Sequence, residues 1–117
     1  MRDNELSTVF REIVERLRPL GASRIVVFGS TARGERRDAD SDIDLAVVVG
    51  SPREFRSYDE RLEAKSRLRV ALLDINETVP IDILLYTEDE FERLLAEPGF
   101  VGSEVAGKGQ TLYEKAG

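Results

Sequence analysis

Residues 25–49 read IVVFGSTARGERRDADSDIDLAVVV, two apolar runs separated by a polar loop. The first run, within residues 24–29, is continuously apolar, which is typical of a strand covered on both faces. The second run, residues 42–49, predicts a strand whose faces alternate. One face carries Asp42, Asp44, Ala46 and Val48, and the other carries Ile43, Leu45, Val47 and Val49. Because the link between the two runs is short, we expect the strands to pair antiparallel.

Helical patterns lie on both sides of this stretch. Residues 5–18 carry apolar residues at helical spacing and predict an amphipathic helix. Ser51 as the cap and Pro52 as the first helical residue predict a second helix that ends near Leu73. GSTARG, residues 29–34, predicts a tight turn that opens a short helix before the polar loop.

A third strand is predicted over Val79–Tyr86, and a capping box formed by Thr87 and Glu90 starts the helix that follows. The glycine-rich tail from Gly99 predicts short turns and a brief TLYE strand. Since the crossover between the second and third strands is long, we expect these two to be parallel. The fold class expected is α/β (α+β), a small mixed β-sheet flanked by helices.

Composition limits the chemistry. The chain has 117 residues, 41% hydrophobic and 34% charged, which supports one domain over residues 1–117. It has no cysteine and no histidine, which excludes disulfides, a thiolate nucleophile, an imidazole base and zinc sites built on these residues. Catalysis must therefore use carboxylates, hydroxyls, arginine, lysine or a bound ion, and Mg²⁺ fits that inventory best.

The charge and the apolar runs limit the partners and the location. A net charge of −6 argues against direct binding to nucleic acid, which favours basic proteins. The N-terminus lacks the layout of a signal peptide, and the longest apolar runs are too short to span a bilayer. We therefore expect a cytoplasmic protein with no membrane association.

Three aspartates are predicted to lie close together. Asp42 and Asp44 share a strand face, and Asp82 lies on the strand predicted to run beside them, about 4.8 Å away. Two carboxylates about 4 Å apart repel each other by roughly 4 kcal/mol at an effective dielectric constant of 20. A divalent cation relieves this repulsion most directly. The alternative is that Asp42 only starts the strand and that the carboxylates face water.

The Gly29-Ser30 pair follows the first predicted strand directly. Glycine lets a ligand approach the backbone, the next amides can bind an anion, and the Ser30 hydroxyl can donate to a phosphate oxygen. Alone, such a pair is typical of an ordinary turn. Beside a carboxylate cluster it predicts half of a metal–triphosphate site.

A known family combines these features: a Gly-Ser turn, a polar spacer, Asp-x-Asp and a later strand aspartate. They occur here in FGSTARGERRDADSDIDLAVVV and PIDILLY. The chain resembles the DNA polymerase beta nucleotidyltransferase superfamily and, within it, the minimal nucleotidyltransferase (MNT) family, over almost its whole length. The resemblance implies a polymerase beta-like fold. It implies that Asp42, Asp44 and Asp82 are catalytic and bind metal, and that Gly29, Ser30 and Arg33 bind nucleotide.

The resemblance also implies a reaction. It is the Mg²⁺-dependent transfer of AMP, or another NMP, from an NTP, ATP first of all, to a hydroxyl acceptor, with two metal ions and with Mn²⁺ as a substitute. MNT proteins resemble antitoxins whose toxin is an all-helical HEPN ribonuclease, so the implied acceptor is a hydroxyl of that toxin, a tyrosine first of all. Such a protein would be one half of a toxin–antitoxin system. A second copy of the chain, in a homo-oligomer, is the other source of an acceptor.

Two other functions remain open. The chain could be a nucleotide-binding antitoxin that masks its partner without catalysis, or an adenylyltransferase for a small molecule. The spacer of eleven residues between Ser30 and Asp42 is one longer than the commonest MNT spacing, which leaves the direction of Arg33, Arg36 and Arg37 open.

Two further features have a structural and a functional interpretation. Arg61, Lys65 and Arg69 form a cationic stripe at helical spacing, which predicts a solvated face, with a docking surface as the alternative. Tyr58 and Tyr86 could stack on a base, although aromatic residues in helices and strands are more often part of the core.

Overall fold

The computed structural model describes residues 3–32 and 42–116, with side chains from residue 5 onward. The elements within these residues follow in chain order. They are α1 (Asp3–Leu17), a 3₁₀ turn (Arg18–Leu20), β1 (Ala22–Phe28), β2 (Ile43–Val49), α2 (Tyr58–Ala71), α3 (Leu73–Thr78), β3 (Ile81–Thr87), α4 (Glu88–Leu95), a π-helical segment (Val101–Gly107) and β4 (Gln110–Glu114). No helix in the described part of the chain is long and apolar enough to cross a membrane.

The strands form one mixed sheet in the order β3-β2-β1-β4. β1 pairs antiparallel with β2 and with β4, whereas β2 pairs parallel with β3. A parallel pair needs a connection long enough to return the chain to the same edge of the sheet, and α2 and α3 provide it here. The predicted antiparallel pairing of β1 with β2 and parallel pairing of β2 with β3 are confirmed.

The alternation of residues along each strand divides the core between the two faces of the sheet. The first face packs against α1, α2 and α3, and its buried centre includes Ile13, Ile25, Leu45, Leu68 and Ile83. The second face packs against α4 and the π-helical segment, through Val26, Ala46, Val48, Phe91 and Val105. Both faces of β2 are thus covered along most of its length. The predicted division of its residues between two faces is confirmed.

The predicted start of α2 is wrong. Residues 51–57 are bends and coil, and the helix begins at Tyr58. Its cap is Ser57, whose side-chain oxygen accepts a hydrogen bond from the Glu60 amide at 3.1 Å. Acidic residues in the first turn suit the helix N-terminus, so Ser57 provides the better start signal.

The later elements agree with the sequence in three places and differ in one. The capping box of Thr87 and Glu90 is present, and TLYE forms most of β4. The end of α2 at Ala71 also agrees with the predicted end near Leu73, and α3 begins after a one-residue interruption at Leu72. The tail contains a π-helical segment where only turns were predicted.

Side chains form hydrogen bonds with backbone groups on the side of β3 that faces away from β2. The Ile81 amide donates to Asn76 Oδ1 at 2.8 Å, and Arg61 donates to the Leu85 carbonyl at 2.8 Å. Arg61 also bonds to Glu90 and lies 4.7 Å from the centre of the Phe55 ring. Arg61 therefore joins α2 to β3 and α4, so it is not part of a purely solvated face with Lys65 and Arg69.

Candidate active site

The first strand ends in a backbone conformation that favours glycine. Gly29 follows β1 with φ +75°, in the left-handed region. A Cβ atom at this position would lie 2.6 Å from Asp44 Oδ2, well inside van der Waals contact. The missing side chain thus leaves room for the Asp44 carboxylate, which is a second reason for glycine beside the turn itself.

Asp44 lies at the centre of the site. In the register of the sheet it is opposite Phe28 on β1 and beside Asp82 on β3. The side chain is half-buried. Burial raises the pKa of Asp44 above its ordinary value, and the negative charges of Asp82 and Asp42 raise it further. The three carboxylates are therefore close enough to interact electrostatically, as the sequence predicted.

Asp42 and Asp82 are both exposed at the same edge of the sheet. Asp42 immediately precedes β2, and Asp82 is the second residue of β3. Because β2 and β3 are parallel, their first residues lie side by side. The structure thus brings Gly29, Asp42, Asp44 and Asp82 together.

The turn after Gly29 contains a contact that the sequence did not indicate. Ser30 is half-buried, and Thr31 beside it is buried. Thr31 Oγ1 donates to the backbone carbonyl of Asp42 at 3.4 Å, which joins the turn to the start of β2. No pattern in the sequence distinguishes this threonine from an exposed turn residue. Arg33, like Arg36 and Arg37, lies outside the described residues.

The donor set at this edge fits a hard cation. Carboxylate oxygens are the ligands that Mg²⁺ prefers, and their repulsion at Asp44 is what a cation would relieve. Among residues 3–32 and 42–116, no three acidic side chains are grouped tightly enough to hold a metal ion by themselves. Mg²⁺ commonly takes one or two protein carboxylates and completes its shell with phosphate oxygens and water. The residues therefore suit an ion that arrives with a phosphate ligand.

A separate cavity of about 340 Å³ lies between β1, β4 and α4, and Arg24, Phe91 and Glu114 are among its lining residues. Arg24 pairs with Val48, toward the opposite end of β2 from Asp44. Its guanidinium is already engaged by Glu114 at 3.4 Å and by the Phe91 ring at 5.2 Å. The carboxylates thus lie on an open edge of the sheet, away from this cavity.

We expect Gly29→Ala to destabilise the protein more than Gly21→Ala. Gly21 also has a positive φ, +97°, but a Cβ there would meet nothing within 4 Å. Both variants should lose about 1–2 kcal/mol of unfolding free energy from backbone strain. Gly29→Ala should lose a further ~0.5–1.5 kcal/mol, the cost of an unfavourable side-chain rotamer, because its Cβ would push the Asp44 carboxylate aside.

Denaturant unfolding of the variants checks this expectation, and a double-mutant cycle isolates the collision. Asp44→Ala removes the carboxylate that the Cβ would meet, so in this background Gly29→Ala should cost no more than Gly21→Ala. Equal losses for the two single glycine variants would contradict the collision.

Comparisons with known proteins identify the family and the fold of the chain. Residues 8–115 match the family model described as Nucleotidyltransferase domain. No curated protein sequence matches the chain. A crystal structure of a toxin–antitoxin with AMP-PNP is similar in fold, with a TM-score of 0.54 and 24% identity, covering 91% of this chain and 73% of that chain. A candidate nucleotidyltransferase from Sulfolobus solfataricus has a TM-score of 0.54 and 25% identity, covering 76% of this chain and 73% of that chain.

These matches confirm the predicted fold class, a nucleotidyltransferase-like mixed sheet flanked by helices. They are consistent with the resemblance to minimal nucleotidyltransferases. Since the family model spans nearly all of the described residues, the chain belongs to the nucleotidyltransferase-domain family.

Proposed function

We propose that the chain, acting as one domain over residues 1–117, transfers AMP from ATP to a hydroxyl group of a toxin protein and thereby silences it. The observation that carries the proposal is the setting of Asp44. This half-buried carboxylate lies between the Gly29 turn and Asp82, and its pKa is raised by burial and by two neighbouring carboxylates. Such an arrangement costs stability unless it serves a bound cation.

The phosphate side of the proposed site is the turn after β1. Ser30 and the amides that follow Gly29 would hold the β- and γ-phosphates, because backbone N–H groups and a hydroxyl donate readily to anionic oxygens. Arg33, outside the described residues, is the third nucleotide-binding residue of the proposal. Ser30 is half-buried and directly follows Gly29, whose backbone lies close to the Asp44 carboxylate, and this position supports the assignment.

The carboxylate side would hold the metal. Asp42, Asp44 and Asp82 are the proposed ligands of two Mg²⁺ ions, which Mn²⁺ could replace. A divalent ion bound there supplies charge neutralisation for the attacking and leaving oxygens. In the reaction an acceptor oxygen forms a bond to the α-phosphorus, the bond from that phosphorus to the bridging oxygen breaks, and pyrophosphate leaves. Asp82 is exposed and adjacent to Asp44, so it is well placed to accept the proton of the acceptor hydroxyl.

A partner protein is the proposed source of the acceptor. The carboxylates lie on an open edge of the sheet, and the exposed Asp82 there is accessible to a macromolecule. The fold neighbour crystallised as a toxin–antitoxin with AMP-PNP supports a toxin as that partner. In line with the MNT resemblance we propose an all-helical HEPN toxin with a tyrosine acceptor, and the cytoplasm as the place where both proteins meet.

The direct test is transfer of label. Incubation with Mg²⁺, ATP labelled at the α-phosphate and an all-helical HEPN toxin should label the toxin. Mass spectrometry should find an added AMP on a tyrosine. A partner that is fully silenced without acquiring label would contradict the proposed reaction.

We expect Ser30→Ala to weaken ATP binding selectively. Removal of one hydrogen bond to a charged phosphate should lower the affinity for Mg-ATP roughly 10- to 150-fold, through a loss of about 1.5–3 kcal/mol. The affinity for AMP should stay nearly unchanged, because AMP lacks the β- and γ-phosphates. Titration calorimetry with both nucleotides measures the difference.

Ser57→Ala is the matched control for that variant. It removes the α2 cap, in which Ser57 accepts from the Glu60 amide at 3.1 Å, and should lower stability without changing either affinity. Equal losses of ATP and AMP binding in Ser30→Ala would mean that the turn itself had collapsed. No loss of either would leave Ser30 as an ordinary turn residue.

A further inference from the structure

One half-exposed aromatic side chain packs against the last residue of β1, which lies opposite Asp44. Phe100 is 48% exposed. Its ring packs on the Phe28 ring with the centroids 5.5 Å apart and the planes at 86°, an edge-to-face contact. This contact fixes the position of Phe100 while about half of its surface remains free.

Phe28 connects this ring to the proposed site. It pairs with Asp44 across β1 and β2, and residues directly opposite each other in a sheet present their side chains on the same face. Asp82 continues the row on β3, and Gly29 follows Phe28 in the chain. The row therefore runs from Asp82 through Asp44 to Phe28, with Phe100 packed at its aromatic end.

The two tyrosines that could have stacked on a base lie elsewhere. Tyr86 packs on Phe91 at a centroid distance of 5.8 Å and pairs with Val48, toward the opposite end of the strands from Asp44. Tyr58 begins α2, which packs on the other face of the sheet through Leu68. Phe28, by contrast, directly precedes Gly29 in the chain, and Phe100 packs on Phe28.

We propose that Phe100 is the stacking platform for the nucleobase of the bound NTP. This inference rests on the proposed function, in which the phosphates occupy the Gly29-Ser30 turn. A nucleotide held there by its phosphates can place its base on the aromatic end of the row, one side chain away from Asp44. Every base has a π-face, so stacking on a phenylalanine favours nucleotides over bare polyphosphate and discriminates little among ATP, GTP and CTP.

The test compares three ligands in Mg²⁺: ATP, AMP and inorganic tripolyphosphate. Phe100→Ala should weaken ATP and AMP by the same factor, roughly 5- to 150-fold, and should leave tripolyphosphate binding unchanged. This pattern differs from that of Ser30→Ala, which weakens ATP but not AMP. Leu95→Ala removes a partly exposed apolar side chain of α4 and should change none of the three affinities.

A second variant gives an optical signal. The chain contains three tyrosines but no tryptophan, so Phe100→Trp introduces a tryptophan at the platform whose fluorescence can be excited selectively. It should retain nucleotide affinity, and its fluorescence should be quenched by ATP and AMP but not by tripolyphosphate. Leu73→Trp, at an exposed position on α3, should show no quenching by any of the three.

The outcomes separate this inference from the proposed function. If the wild type binds ATP and Phe100→Ala binds it equally well, the platform is wrong while the phosphate site stands. If Phe100→Ala loses tripolyphosphate as well, the ring only supports Phe28, and the platform is also wrong. Loss of partner binding with intact nucleotide binding would identify Phe100 as a protein contact instead. Wild-type protein that bound neither ATP nor tripolyphosphate would overturn the proposed function and the platform with it.

Discussion

Asp42→Asn and Asp82→Asn should each lower the rate of AMP transfer to the partner protein by about 10²- to 10³-fold or more. Each change replaces an anionic metal ligand with a neutral amide, and phosphoryl transfer depends almost entirely on positioning and charge stabilisation. Both residues are exposed at the sheet edge, so neither change should disturb the packing of the core. Label incorporated per minute at saturating ATP measures the effect.

The control for these variants is Asp59→Asn. Asp59 is an exposed acidic residue in the first turn of α2, remote from the carboxylate row, and its loss should leave the transfer rate within about twofold of wild type. Both active-site variants should still bind the partner, which a pull-down can establish. If they silenced the toxin fully with no transfer, the chain would be a masking antitoxin and not an enzyme.

Asp44→Asn should abolish the stabilisation that Mg²⁺ and ATP give the wild type. A ligand that binds only the folded state at about 100 times its Kd adds roughly 2.7 kcal/mol. For a domain of this size, that amounts to roughly 10 °C in Tm. Without the central carboxylate the metal–nucleotide complex should lose its anchor, so the increment should fall close to zero.

The apo form of the same variant should be as stable as wild type or slightly more stable. Burial, Asp82 and Asp42 all raise the pKa of Asp44, which means that the folded protein disfavours its negative charge. A neutral amide removes that penalty. In thermal melts, Asp44→Asn should therefore keep or raise the Tm of the apo protein and lower the Tm measured with Mg²⁺ and ATP, each relative to wild type.

Asp74→Asn is a control for which we expect the reverse pattern, a less stable apo protein with an unchanged ligand increment. Asp74 binds Arg16 across α3 and α1, with one N–O distance of 2.9 Å, and the hydrogen bond from Arg16 lowers the pKa of Asp74. Its loss should lower the Tm of the apo protein and leave the ligand increment intact. If Asp44→Asn instead destabilised the apo protein and kept the increment, Asp44 would have a structural role.

The candidate site could be predicted from the sequence because charged residues occur within strands that are otherwise apolar. Aspartate is disfavoured in a strand, so the occurrence of Asp44 and Asp82 within apolar runs indicates a site, and the period of two places Asp42 and Asp44 on one face. The length of the crossover then predicts that the strands of Asp44 and Asp82 are parallel neighbours, which the register of β2 and β3 confirms. Both inferences rest on general properties of strands, namely the alternation of side chains and the long connection that parallel strands require.

The features that the sequence did not predict depend on tertiary contacts. Two serines, Ser51 and Ser57, each carry a valid start signal for α2, and the second is the one used. Because the helix begins after Ser57, Phe55 precedes it. The Phe55 ring packs against the core and lies beneath Arg61. Phe100 lies in a glycine-rich tail with weak periodicity, so its position beside Phe28 followed only from the folded chain. Local patterns cannot rank such alternatives, because the energy that decides between them comes from distant residues.

The hydrogen bond from Thr31 to the Asp42 carbonyl bears on where residues can be inserted into the chain. It joins the first residue of the polar spacer to the residue that follows the spacer, so it helps to hold the Gly29 turn close to the first carboxylate. Lengthening a closed loop costs only logarithmically more entropy. The part of the spacer between Arg37 and Asp42 is therefore where we expect an inserted affinity tag or epitope to disturb the proposed site least, because it leaves Arg33 and the Thr31 contact in place.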